Sequence, residues 1–376
     1  MQPPTRWLGD AGKNRHRLLE ETTMTWLRRN LMLQCIGAIA WIALQGVSVV
    51  SAADTSFHDE VAKALQAMKD AGHSHPILDT HIHFYQASRP GGIPWPPAIS
   101  EIYGDVLPPD YKAVAIPNGI LASGVVEASP LVEDNQWILN LLGHDAFFPF
   151  FVGQLEVGSA DFASNLEQLS QDHRFVGIRG FLWSPPAITL DAAQLTNLRD
   201  LAQRGMTLDI ISRGTTNPKP RVEALCTTVP NLRIIIDHLA GAQGAVPTPE
   251  WELAMQRLAD LCPNLYIKFS SFYDMYQTTD GNSHWLAPSD LAAYKATFDV
   301  LMTAFGPDRL IWGSNWPVSN LGHVTDPSGS FATQIRLAEE YLAPFGQVIR
   351  DKVMFKNALL FYRRHVVGAD EDEQGN

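Results

Sequence analysis

Residues 77–84 read Ile-Leu-Asp-Thr-His-Ile-His-Phe, an apolar run broken by an acid, a hydroxyl and two histidines. Side chains two apart on a strand point to the same face, so a strand here aims His81 and His83 at one point. Working outward, further short apolar runs lie near 123–128, 148–154, 175–181, 206–212, 233–239, 265–271 and 309–315. Some are unbroken, such as Ile234-Ile235-Ile236, which suits parallel strands buried on both faces. Segments of helical spacing separate most of them, including 161–172, 191–204, 250–261 and 290–305, with Leu166, Leu169, Leu195, Leu198 and Leu201 marking buried faces. Pro230-Asn231-Leu232 and Pro263-Asn264-Leu265 lead into two successive strands in the same way. Eight strands alternating with helices predict an α/β chain closed as a parallel (β/α)8 TIM barrel over residues 76–366. No glycine-rich phosphate loop follows the first strand, which argues against a dinucleotide-binding sheet.

Composition sets the outer limits. The chain of 376 residues is 45% hydrophobic, 10% aromatic and only 18% charged, as expected of a packed domain and not of a disordered one. Its formal net charge is −12, which repels phosphate backbones and excludes nucleic acid as an expected partner. A small-molecule substrate is expected; nothing in the sequence sets the oligomeric state.

The first 53 residues read as an extension plus an export signal. Met24 is a plausible start, Arg28 and Arg29 precede an uncharged run from Leu31 to Val50, and Val50-Ser51-Ala52 closes it with small residues at the −3 and −1 positions. This is the three-part layout of a secretory signal over 24–53, with cleavage after Ala52 or Ala53. The mature chain is then exported, periplasmic or secreted, with no stable membrane insertion; an uncleaved run, about the ~20 residues that span a bilayer, is the membrane-anchored alternative. A helix is expected over 54–75, with Val61, Ala64, Leu65 and Met68 on one face, and an acidic disordered tail over 367–376. Cys226 and Cys262 are read as two buried free thiols, with pairing as the alternative in an oxidising compartment.

In a barrel of this kind, chemistry collects at the C-terminal ends of the strands. His81 and His83 end the first strand, and two imidazoles aimed at one point can share a divalent metal or grip one oxygen. The sixth strand ends at Asp237-His238, the fourth carries Arg179, the second ends at Glu127, the third ends near Gln154 and Glu156, and the seventh carries Lys268 and Ser270. A buried barrel arginine needs an anion, either a protein carboxylate or a substrate.

The segments 77–84, Gly-Ile-Arg-Gly (177–180), Ile-Asp-His-Leu-Ala-Gly (236–241), Leu-Tyr-Ile-Lys-Phe-Ser (265–270) and Ile-Trp-Gly-Ser-Asn-Trp-Pro-Val (311–318) resemble, in order and spacing, the amidohydrolase-2 family and its lactonase branch. Asp134-Asn135 and Lys356-Asn357-Ala358 fit as well. The resemblance covers most of residues 76–364. It implies a metal-dependent-hydrolase type of barrel that opens a lactone of a sugar acid or an aromatic catabolite, with His81, His83 and His238 around the reacting carbonyl. It also implies that these three histidines hold a divalent metal such as zinc in some relatives and work without metal in others. Arg179, with Glu127, Lys268 and Trp183, is expected to contact substrate. Relatives carry aspartate where this chain has Asn315. Asparagine has no ionisable group and cannot be a general base, so His238, Glu127 or Glu156 is expected to take that role and metal is expected to bind more weakly. A decarboxylase of the same family and a binding protein that has lost hydrolysis are the two alternatives. No second arginine follows the fourth strand, and the mouth is rich in aromatics, among them Trp95, Tyr103, Trp183, Tyr273, Tyr276, Trp285 and Trp316, which suits a weakly charged ring.

Overall fold

The fold is that of a computed structural model describing residues 75–180, 190–212, 219–277, 285–324 and 329–363. The expected leader, residues 54–74 of the opening helix, Trp183 and the acidic tail lie outside the described residues.

The apolar runs form eight parallel strands: β1 (Ile77–Ile82), β2 (Ile120–Val126), β3 (Phe150–Gly153), β4 (Phe175–Arg179), β5 (Thr207–Ile210), β6 (Arg233–Ile236), β7 (Leu265–Ser270) and β8 (Leu310–Gly313). They lie side by side in chain order, each pair parallel. The ring closes just beyond β8, where Asn315 N donates to His81 O (2.8 Å) and His83 N donates to Trp316 O (2.9 Å). This is the expected (β/α)8 barrel. β2 starts three residues earlier than its apolar run suggests, because Gly119, in left-handed backbone (φ 78°), ends the preceding turn and releases the chain straight into the strand.

Two features fix what the barrel holds. Toward the N-terminal ends of the strands the interior is apolar, with Leu78, Ala122, Phe150, Val176 and Ile311 in one cluster with Phe361 and Tyr362. The short helix Asn357–Phe361 and the tyrosine after it close this end, and the Tyr362 ring stacks on Phe150 at 4.3 Å. Gly124 makes room for that ring: a Cβ there would meet Phe150 at 1.9 Å. Toward the C-terminal ends the interior becomes polar, and the titratable residues gather there.

Two of the outer helices, α1 (Lys219–Thr228) and α2 (Pro249–Leu261), are joined by a disulfide between Cys226 and Cys262, with Cα atoms 5.4 Å apart. This corrects the reading of two free thiols. Cys226 lies in the last turn of α1 and Cys262 caps the C-terminus of α2, and the parallel packing of successive β/α units brings those helix ends together. Among the described residues, no helix is long and apolar enough to cross a membrane.

Candidate active site

β1 is anchored before it reaches the site. The buried Asp79 carboxylate accepts from Tyr111 OH (2.8 Å) and from the backbone N–H of Ser314 (2.8 Å) and His81 (3.2 Å). Burial pushes its carboxyl up, and the bonds from Ser314, Tyr111 and His81 oppose that. The β1–β2 register shifts between Asp79 and Ile82, and beyond it His81 and His83 stand together, ring centroids 4.9 Å apart. His238 arrives from the end of β6, its ring 4.6 Å from that of His81. The three imidazoles expected to converge therefore do so, all buried, at the C-terminal end of the barrel.

Each ring is held differently. His83 Nδ1–H donates to Val126 O (3.0 Å) and its Nε2 meets the Asn315 side-chain amide at 3.1 Å, so both nitrogens are engaged. Asn315 in turn donates to Ser271 Oγ (2.8 Å). His238 Nδ1 lies 3.0 Å from Ser270 Oγ. His81 sits between two cations, with Nδ1 3.1 Å from Lys268 Nζ and Nε2 3.4 Å from Arg179 Nη1. His238, Ser271 and Asn315 all occupy left-handed backbone, with φ of 53°, 51° and 57°. Such strain in non-glycine residues gathers where a site fixes side-chain direction.

The charged residues form two groups. Arg179 Nε donates to Glu127 Oε1 (2.6 Å), and Arg179 Nη2 donates to the Glu127 carbonyl. Burial raises the Glu127 carboxyl and Arg179 opposes it. Of the two anions considered for Arg179, the protein carboxylate is the one present. Lys268 is fully buried; Nζ donates to Asp209 Oδ2 (2.7 Å) and lies 3.2 Å from Asp237 Oδ1. Asp209 also accepts from Tyr362 OH (2.9 Å). Lys268, expected at the substrate, thus has protein partners on every side that is seen. Glu156 is exposed at the rim, and Trp183 lies outside the described residues.

Asp237 was not singled out from the sequence. It lies with His81 and His238 in the one His/Asp cluster of metal-ligating geometry among the described residues, ligand atoms within 4.8 Å of one another. Both its carboxylate oxygens are buried and accept no hydrogen bond, although Lys268 and His81 Nδ1 (3.4 Å) stand at ion-pair distance. Both of those neighbours face Oδ1, and a buried carboxylate whose Oδ2 accepts no hydrogen bond suits a further cation. Two imidazoles and one carboxylate with an open position suit a divalent metal. A small cavity of about 20 Å³, room for a water or two, is lined by Trp95, Glu127 and the bidentate Arg89–Asp134 pair and meets the histidine site only through Trp95 and Glu127. Trp95 packs edge-on to His83 at 5.6 Å.

The sequence profile of the family described as Amidohydrolase matches residues 78–364. The chain belongs to this family. It is 31% identical over 308 residues to a protein named L-fucono-1,5-lactonase from Burkholderia ambifaria, an alignment covering 79% of this chain and 99% of the relative. A second protein of that name, from Burkholderia multivorans, is 25% identical over 279 residues, 71% of this chain and 90% of the relative. Among solved structures, an amidohydrolase from Burkholderia multivorans with bound zinc superposes with a TM-score of 0.62 at 21% identity, covering 77% of this chain and 99% of that one. That likeness supports the barrel.

Proposed function

We propose that this amidohydrolase hydrolyses the ester bond of a sugar-acid lactone. The observation that carries the reading is the convergence of His81, His83 and His238 at the C-terminal end of the barrel, with Trp95 edge-on to His83; the lactonase names of the two relatives support it. An aromatic face with few charges suits a sugar ring.

In this reading the lactone carbonyl lies over His81 with its ring against Trp95. His81, Asp237 and His238 would hold a divalent metal such as zinc, which suits nitrogen and carboxylate donors and would polarise the carbonyl. Where no metal occupies the cluster, His238 takes the proton of the attacking water, since Asn315 cannot; with a metal bound its ring nitrogen would be committed to the ion. Asn315 holds the ring of His83 instead. Arg179, held by Glu127, keeps a guanidinium edge at His81 for the oxygen that gains charge.

The test is a panel of aldonolactones and aryl lactones, including L-fucono-1,5-lactone, with ring opening followed by acid release. Saturable opening of at least one sugar-acid lactone is expected. No opening across the panel, by a chain folded by circular dichroism and supplied with zinc, overturns the reading and leaves the decarboxylase and the binding protein as the alternatives. Replacing His238→Asn is expected to lower kcat by roughly 10²–10⁴-fold, the usual worth of a general base.

A further inference from the structure

The fully buried ammonium of Lys268 is not used by the proposed reaction. It lies 2.7 Å from Asp209 Oδ2, 3.2 Å from Asp237 Oδ1 and 3.1 Å from His81 Nδ1. Two of these three neighbours are the residues that, with His238, form the metal-ligating cluster. A cation is therefore already placed where a divalent ion draws its donors.

We propose that Lys268 is a resident cation that competes with a divalent metal for Asp237 and His81, so that the charge at position 268 sets how tightly the site holds metal. The charge balance of the layer gives the reason. Glu127 and Arg179 neutralise each other. What remains is Asp209 and Asp237 facing Lys268, a group with one net negative charge. A divalent ion turns that into a net positive charge with no solvent to screen it, and like charges held close in a protein interior repel strongly. Without the ammonium, two carboxylates and one divalent ion balance. Lys268 cannot swing into solvent, because no part of it is exposed and the Tyr362 ring lies 5.6 Å from Nζ. It can only draw back toward Asp209, whose Oδ1 is buried without a hydrogen bond. Metal entry thus requires Asp237 to exchange one cation for another, which weakens binding and makes it reversible.

This inference rests on the histidine–aspartate cluster being a cation site and not on the lactone reading, and its test does not use activity. Chelator-treated wild type and Lys268→Met are titrated with zinc against a chromophoric chelator, and with cobalt to follow the visible absorption of the ligated ion. Lys268→Met is expected to bind one ion more tightly by on the order of tenfold or more, the size of effect a removed neighbouring charge produces. Lys268→Met/Asp237→Asn is expected to lose that gain. Lys268→Met/Asp209→Asn removes the ammonium and one carboxylate together and leaves the layer's net charge as in wild type, so it isolates the competition for Asp237 and is expected to keep a gain smaller than that of Lys268→Met. It carries the test if the single variant does not fold. Affinity within twofold of wild type in whichever of the two folds, or a gain that survives Asp237→Asn, overturns the proposal. If lactone opening fails while these affinities behave as stated, only the substrate reading falls.

Discussion

Asn315 decides how the site is read at the level of single residues. Its amide joins His83 Nε2 to Ser271 Oγ, a link that fixes a ring without moving a proton. Asn315→Leu is expected to lower kcat about 10–100-fold, the usual effect of removing a group that orients an active-site ligand. Asn315→Asp keeps an oxygen for His83 and puts a second oxygen, able to accept from the Ser271 hydroxyl, where the amide donor stood, and is expected to stay within about tenfold of wild type; steady-state rates on one lactone separate the two. Asp209 gives a stability prediction. Burial pushes its carboxyl up to about 6 from an ordinary 3.8, Lys268 opposing. The folded chain therefore binds this proton more readily than the unfolded chain, and the contribution is full below about pH 4 and lost as pH rises through about 6. Denaturant titrations from pH 4 to 6.5 are expected to show unfolding free energy declining less with pH in Asp209→Asn than in wild type. The sequence showed the three histidines because period-two alternation places His81 and His83 together. It did not show Asp237, because alternation sends adjacent residues to opposite faces. The left-handed turn at His238 (φ 53°) ends the alternation and brings both side chains to His81, and nothing in a single sequence marks that turn. Glu127 and Arg179 were each visible at a strand end, but their pairing depends on the spacing of β2 and β4 around the ring.

Among the elements, the strands were legible because burial on both faces leaves continuous apolar runs, and the helices because one-sided burial leaves a repeat. The polar layer inside the barrel was less so: Lys268 in Leu-Tyr-Ile-Lys-Phe-Ser looks like a residue reaching for substrate until the carboxylates of β5 and β6 are seen beside it. The link between α1 and α2 depends on the same sideways packing. Reducing the Cys226–Cys262 bond, or replacing both with serine, is expected to lower stability by about 2–4 kcal/mol, from loss of the cross-link over a sequence separation of 36. Denaturation midpoints with and without reductant measure it. Gly124 tests the apolar end of the barrel. A Cβ there meets the Phe150 ring, which is pinned by Tyr362, so Gly124→Ala is expected to cost about 1–3 kcal/mol, with little change in KM because the clash lies away from the histidines.

For the whole molecule, the question is where the chain works, and two independent features bear on it. The uncharged run from Leu31 to Val50, with Arg28-Arg29 before it and Ser51-Ala52-Ala53 after it, has the layout of a cleavable export signal. The barrel that follows carries a disulfide between two helices, and such bonds persist in oxidising compartments and are rare where thiols are kept reduced. We propose that the chain is exported and acts outside the cytoplasm as the cleaved form. Expression of the full-length sequence in a bacterial host with intact export is expected to give a product in the periplasm or medium that begins at Ala53 or Asp54, read by N-terminal sequencing and intact mass, with no free thiol in the barrel. Deleting residues 1–53 is expected to leave the product in the cytoplasm with Cys226 and Cys262 reduced and a denaturation midpoint lowered as by reductant. An uncleaved product recovered with membranes overturns cleavage and favours the anchored form. A full-length product retained in the cytoplasm with its signal intact and both thiols free overturns export itself, since neither the apolar run nor the cysteine pair then acts as the proposal requires.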